Sequence, residues 1–306
     1  MNVSTEIDLN LPFIRMLIMK KNMLAVLIAG TFLVACSDGS GLSSKSIQVF
    51  DGPVQFADVV ANCGGEDLDL GRTDFNGTVR STDFVIINTP ELCEFTATGT
   101  EAIGASIGAS IDTSNNKLMP KISYVIPRGL LKVGDSITLS PLTTLIAKQI
   151  EANTANNITG ISVSDVATEV VTALYPGLIN ATDVNALDMA RDMEGTITKL
   201  KAAYPNSVPL VIATNNVTSD VLVYSQTTVV GLADIIKTST KVAEQVISVN
   251  DDYPIVSTDS TKIKVASFDV GDAVLAVENS TAIAVSIVEN DIPEEPVATG
   301  ATGTAG

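Results

Sequence analysis

The sequence predicts an α+β protein, an N-terminal antiparallel β-sandwich followed by a helical bundle domain with a terminal β-hairpin. Three observations carry that expectation. From Ser46 to about Pro127 apolar residues recur at every second position, the spacing that lines one face of a strand. After Ser140 the recurrence lengthens to three or four residues, the mark of one helix face. Between residues 261 and 289 the period of two returns.

In chain order, Ile47 and Val49 precede the turn Asp51-Gly52-Pro53, and Val54 to Ala61, Asp83 to Ile87 and Leu92 to Thr98 are the next strands. Ile103 to Ile111 alternates most cleanly, with apolar residues at odd positions and only Gly or Ser at even ones. That smooth second face either is solvated or admits a second sheet or a partner. Lys121 to Ile126 closes the strand-rich half, with Ile122, Tyr124 and Ile126 on one side. Val59, Ala61 and Cys63 share one face of their strand, and Cys93, Phe95 and Ala97 share one face of theirs, so both thiols point into one core. A Cys63–Cys93 disulfide is therefore expected, and closing about 30 residues stabilises by roughly 3.5 kcal/mol on the chain-entropy account.

A short strand, Ile137 to Leu139, leads into a helix with Ser140 as N-cap and Pro141 at the first helical position. Leu142, Leu145, Ile146, Gln149 and Ile150 form its face. Further helices are expected at Ser164 to Leu174 and at Asp183 to Tyr204, where Ala186, Met189, Met193, Ile197, Leu200 and Tyr204 make a core stripe. A long segment from Ser219 to Val249 follows, interrupted around Thr238-Ser239-Thr240. The terminal hairpin is read from Ile263 and Val265, Ala273 to Val277, and Ile283, Val285 and Ile287, turning at Asn279-Ser280. From Asp291 the chain is Pro, Glu, Ala, Gly and Thr, a composition that cannot bury a core and is expected to be disordered.

Residues 19 to 36 combine Lys20 and Lys21, a short apolar run from Met23 to Val34, and small residues before Cys36. As a helix the run covers about 18 Å of a roughly 30 Å bilayer core, too short to span. This is the pattern of an export signal. Leu33-Val34-Ala35-Cys36 resembles a bacterial lipobox, and the resemblance implies cleavage before Cys36, a diacylglyceryl group on its sulfur and acylation of the new amino terminus. Ser37 after Cys36 does not resemble an inner-membrane retention signal, which implies an outer-membrane address. Glu6 and Asp8 are foreign to a signal's basic start, so Met19 is read as the true start. The division that follows is 1–35 signal peptide, 36–45 flexible tether, 46–134 β-sandwich, 135–290 mainly helical domain with the hairpin, and 291–306 disordered tail.

Phe50-Asp51-Gly52-Pro53-Val54-Gln55-Phe56-Ala57-Asp58-Val59, followed by Thr73-Asp74-Phe75-Asn76-Gly77, resembles the framework of carboxypeptidase-regulatory-like, transthyretin-like β-sandwiches of bacterial surface proteins. The resemblance implies a structural or adhesive sandwich of roughly 80 residues. Ser140-Pro141-Leu142-Thr143-Thr144-Leu145 is similar to the segment that follows such a sandwich in bacterial surface lipoproteins. Between the sandwich motifs Glu66, Asp67, Asp69 and Asp74 offer hard oxygens, a weak calcium candidate against the alternative of an acidic, solvated hairpin tip. Their spacing is not that of an EF-hand loop.

The chain has 18 basic and 35 acidic side chains, and the part after residue 35 carries a net −18. Such a surface repels nucleic-acid phosphates and anionic lipid heads, so no nucleic-acid partner is expected and membrane contact falls to acylated Cys36. There is no histidine, which excludes Ser-His-Asp and Cys-His chemistry and His-based zinc sites. No tryptophan is present to form a sugar-binding platform. Thr196 with Lys199, and Thr238 with Lys241, place a hydroxyl and a lysine one helical turn apart, a spacing that arises readily in a Thr-rich chain. The reading is a lipid-anchored envelope protein with a non-enzymatic binding, adhesive or structural role, no cofactor, and an unknown envelope protein or extracellular ligand as partner. The alternatives are a carboxylate-dependent hydrolase of envelope polymers, which converging acids in a helical-half pocket would favour, and a purely structural spacer.

Overall fold

The computed structural model describes residues 43–102, 108–256 and 261–294, so the Cys36 expectation, the tail from residue 295 and most of the Ile103–Ile111 alternation lie outside the described residues, while Asp291, the first residue of the expected tail, ends a strand. The chain is α+β, with strands first, helices after them and a closing strand pair. β1 (Lys45–Val49), β2 (Val54–Gln55), β3 (Asp58–Cys63), β4 (Glu66–Arg72) and β5 (Thr78–Ser81) come before a short helix, α1 (Phe84–Asn88). β6 (Cys93–Thr98), β7 (Ile111–Asp112), β8 (Lys117–Leu118), β9 (Ser123–Ile126) and β10 (Ile137–Leu139) complete the strand-rich half. The helices α2 (Pro141–Ala155), α3 (Val163–Leu174), α4 (Pro176–Ala181), α5 (Ala186–Arg191), α6 (Met193–Ala203), α7 (Val208–Ser225) and α8 (Leu232–Val249) follow. β11 (Lys262–Ser267), α9 (Val270–Glu278) and β12 (Ser286–Asp291) end the described chain.

The strands form an antiparallel sheet in the order β4-β3-β6-β9, a small antiparallel sheet β2-β7-β8, and a third sheet β10-β1-β5. β1 pairs antiparallel with β5 but parallel with β10, Ile47 lying opposite Ile137 and Val49 opposite Leu139. This parallel pair joins the start of the strand-rich half to the strand that runs directly into α2. Val59, Ala61, Phe95, Ala97, Tyr124 and Ile126 are buried on one face of the four-stranded sheet, as their alternation predicts. Ser140 caps α2, accepting from the Thr143 amide while the Thr143 hydroxyl accepts from the Ser140 amide. Leu142, Leu145 and Ile146 are then buried, and α2 packs on β9. Buried apolar side chains from Ile47 to Ala273 form one continuous cluster that includes both strands and helices.

Local chemistry redraws several elements. Asp83 to Ile87 is not a strand: the Asp83 carboxylate accepts from the Val85 and Ile86 amides and starts α1, overriding the β preference of Val85-Ile86-Ile87. The run from Val54 to Ala61 is split where Phe56 takes a φ of 62°, giving β2 and β3. Asp183 to Tyr204 is two helices, because Asn185 caps α5 and Asp192 caps α6, accepting from the Gly195 amide at 2.9 Å. Ser219 to Val249 is broken at 226–231, not at Thr238-Ser239-Thr240, whose first two residues are buried inside α8. The closing β11–β12 pair is antiparallel as expected, but Ala273 to Val277 is helical. Asp269 caps α9 through the Asp272 amide, and Ala273, Val274 and Val277 bury at helical spacing.

Candidate functional site

A buried polar cluster forms where the strand-rich half meets α7. Asp51 sits in the turn between β1 and β2, followed by Gly52 at a φ of 83°; a side chain there would collide with Asp112 Oδ1 and Ser114 Oγ. The turn carries the Asp51 carboxyl inward to 5 % exposure. Asn215 Nδ2 on α7 donates to Asp51 Oδ1 at 3.0 Å. The donor and acceptor pattern orients Asn216 so that its nitrogen donates to Asp51 Oδ1 at 3.1 Å and to the Asp51 carbonyl at 2.7 Å, while its oxygen accepts from the Tyr253 hydroxyl. On β9 the Tyr124 hydroxyl lies 3.3 Å from Asp51 Oδ2 and 2.6 Å from Ser219 Oγ.

Asp112 and Lys117 enter from the β7–β8 hairpin. Asp112, 1 % exposed, accepts from the Ser114 amide at 2.8 Å, the Ser114 hydroxyl at 2.7 Å and Asn115 Nδ2 at 2.6 Å. Lys117 Nζ donates to Asp220 Oδ1 on α7 at 2.5 Å. From β12, Asn290 Nδ2 donates to the Asn115 carbonyl at 2.9 Å, so the closing strand pair braces the same hairpin.

Burial dominates the electrostatics. It pushes the Asp51 carboxyl well above the usual carboxylate range, with the Asp112 charge as the next cause and Lys117 pulling the other way. Burial raises Asp112 to about 6 against the opposing hydrogen bonds of Ser114 and Asn115. For Lys117 burial acts to lower, but attraction to Asp220 and Asp51 outweighs it and the ammonium is held more tightly than usual. Burial likewise raises the phenols of Tyr124 and Tyr175, and lifts Tyr253 to about 12. Two fully buried carboxyl groups, Asp51 and Asp112, thus lie near the Lys117 ammonium, which is bonded to Asp220 at a partly exposed edge of the cluster, an arrangement that ties strands to helix.

Outside this junction, a cavity of about 250 Å³ lies on the helical half between the α4–α5 connection and α6. Asp183, Asn185, Asp188, Thr196, Lys199 and Tyr204 are its polar lining, over Val184 and Leu200. The Tyr204 hydroxyl donates to Asp183 Oδ2 at 3.1 Å.

The residues singled out in the sequence are placed unevenly. Cys63 and Cys93 are disulfide-bonded, facing one another in the β3–β6 register with Cα atoms 4.2 Å apart. The calcium candidates are not gathered. Asp67 accepts from Asn62, Asp69 from the Gly71 amide, and Asp74 from the Asn76 and Thr78 amides, each satisfied within its own turn or hairpin. Among the described residues no group of three or more His, Cys, Asp or Glu side chains is placed to hold a metal. Thr196 and Lys199 both line the cavity on the helical half, whereas Thr238 is fully buried and Lys241 is exposed against Glu244. Sequence reasoning read Asp51 only as a turn residue and passed over Asp112 and the α7 residues that bind Asp51 and Lys117. The available signal was the polar stretch Thr214-Asn215-Asn216 and Thr218-Ser219-Asp220 set between the apolar runs Val208–Ala213 and Val221–Val223.

No protein-family profile, curated protein or solved structure matches the chain. Its functional reading rests on its own residues.

Proposed function

We propose that this is a lipid-anchored protein of the cell envelope, held by acylated Cys36 in the outer membrane, with a non-enzymatic binding, adhesive or structural role. The observation that carries the reading is the basic, apolar and small-residue series ending at Cys36. The Cys63–Cys93 disulfide supports it, because such bonds persist in oxidising compartments outside the cytoplasm. The anchored body is read as a transthyretin-like sandwich followed by a helical bundle. In support, the motif residues perform framework work: the Thr73 hydroxyl donates to the Val54 carbonyl at 2.6 Å and accepts from the Ala57 amide, and Asp74 ties the turn to Thr78. The negative surface disfavours nucleic acid and leaves an envelope protein or an extracellular ligand as the partner. Metabolic labelling with a fatty acid tests the anchor: label is expected in the wild type and absent in Cys36→Ser, and equal label in both refutes it. Recovery wholly with the inner membrane contradicts the outer-membrane address.

A second reading, a carboxylate-dependent hydrolase of envelope polymers, is favoured by Asp183 and Asp188 lining one cavity on the helical half. Its test is hydrolysis of isolated envelope glycans and peptides by the wild type against Asp183→Asn and Asp188→Asn. A drop of at least 100-fold in either variant is of the order expected for a lost general acid or base.

A further inference from the structure

The cavity of about 250 Å³ on the helical half takes in the Thr196 and Lys199 pair, which the buried junction leaves unused. Thr196, Lys199, Leu200 and Tyr204 recur at helical spacing and share one face of α6 and its end. Opposite them stand Asp183 and Val184 from the α4–α5 connection and Asp188 from α5. Thr196 is only 3 % exposed, yet it lines the cavity and its hydroxyl makes no hydrogen bond among the described residues. The buried helical hydroxyls of Thr214 and Thr218 instead donate to the carbonyl four residues back. A buried hydroxyl left open beside a cavity is a place for a ligand's polar atom. The Lys199 ammonium and the Asp188 carboxylate likewise have no hydrogen-bond or ion-pair partner among the described residues. Both are exposed, so water satisfies them until a ligand enters. The Tyr204 hydroxyl holds Asp183 Oδ2 at 3.1 Å and leaves Oδ1 open. Opposite charges thus line one cavity without neutralising one another, which suits a ligand that carries both signs.

We propose that this cavity binds a free α-amino acid with an apolar side chain, a site that deepens the binding role proposed above and rests on it. Asp188 and Asp183 Oδ1 take the ligand's ammonium, while Lys199 and the Thr196 hydroxyl take its carboxylate. Val184 and Leu200 take the side chain. Charge-assisted hydrogen bonds are the strong ones, so both ends of the ligand count. An amine or an acid alone meets only one sign and leaves the other unmatched. No bond forms or breaks, so the ligand leaves unchanged, unlike the polymer substrate of the hydrolase reading.

Ligand-detected NMR titration of leucine against the full chain in detergent micelles tests the proposal. Saturable binding is expected with a Kd between about 10 μM and 10 mM, the range open to a ligand of nine non-hydrogen atoms. 3-Methylbutylamine and 4-methylpentanoate, which each lack one charged group, should bind at least about tenfold more weakly. Lys199→Gln and Asp188→Asn, both at exposed positions that leave folding intact, should each weaken leucine about tenfold, and the exposed control Glu169→Gln should match the wild type. Absence of saturable leucine binding overturns the proposal. So does equal binding of leucine and either analogue, or leucine binding left unchanged by either substitution. Cys36→Ser, which decides the anchor by labelling, should bind leucine as the wild type does, so the site and the anchored reading fail separately.

Discussion

Gly52 shows how one position can hold the site together. Its φ of 83° belongs to glycine, and any Cβ would run into Asp112 and Ser114. Gly52→Ala should destabilise by roughly 1 to 3 kcal/mol, measured as a lower urea midpoint with unchanged slope, because both the backbone and the Asp112 hairpin must shift. A midpoint equal to wild type would mean that the turn does not position Asp51. Tyr124→Phe removes the hydroxyl shared by Asp51 and Ser219 and should destabilise by about 1 to 3 kcal/mol, the cost of leaving buried polar partners unmade. Sequence reasoning saw Asp51 and Gly52 as turn chemistry, which is correct locally. It could not see that Asp51 meets Asn215, 164 positions away.

Among the elements, those begun by a helix cap followed by an apolar stripe were legible. Ser140 and Pro141 announce α2, and Ser140→Ala should destabilise by about 1 kcal/mol through loss of the cap to Thr143. A loss of under a few tenths would show that packing on β9 holds the helix start alone. α1 and α9 were not legible, since each is short and rich in Val or Ile, and only the carboxylates of Asp83 and Asp269 select helix over strand. α7 was hidden for a different reason. It is buried nearly all round, with Asn215, Thr218 and Ser219 about as deeply placed as Val217 and Val221, so it lacks the one-sided stripe that marks a surface helix.

In the whole molecule, strands and helices share one buried cluster, and β1 and β10 lie side by side across the change of period. Unfolding is therefore expected as one cooperative transition. Reduction of Cys63–Cys93 should shift that transition as a whole by roughly 2 to 5 kcal/mol, read by thermal melting with and without reductant. Two separate transitions, one insensitive to reductant, would show that the halves unfold independently despite the shared cluster.

The sequence alone determined the α+β class, the pairing of the two cysteines through shared strand faces, the Ser140 start of α2 and the acidic balance of the surface. These depend on residues close in the chain or on composition, where period and capping chemistry act directly. Only the tertiary structure decided that Asp51, Asp112 and Lys117 meet α7, and that the central helix is polar where it is buried. Those choices come from long-range packing, because a carboxyl or amide is tolerated in a core only when partners from distant segments arrive to satisfy it.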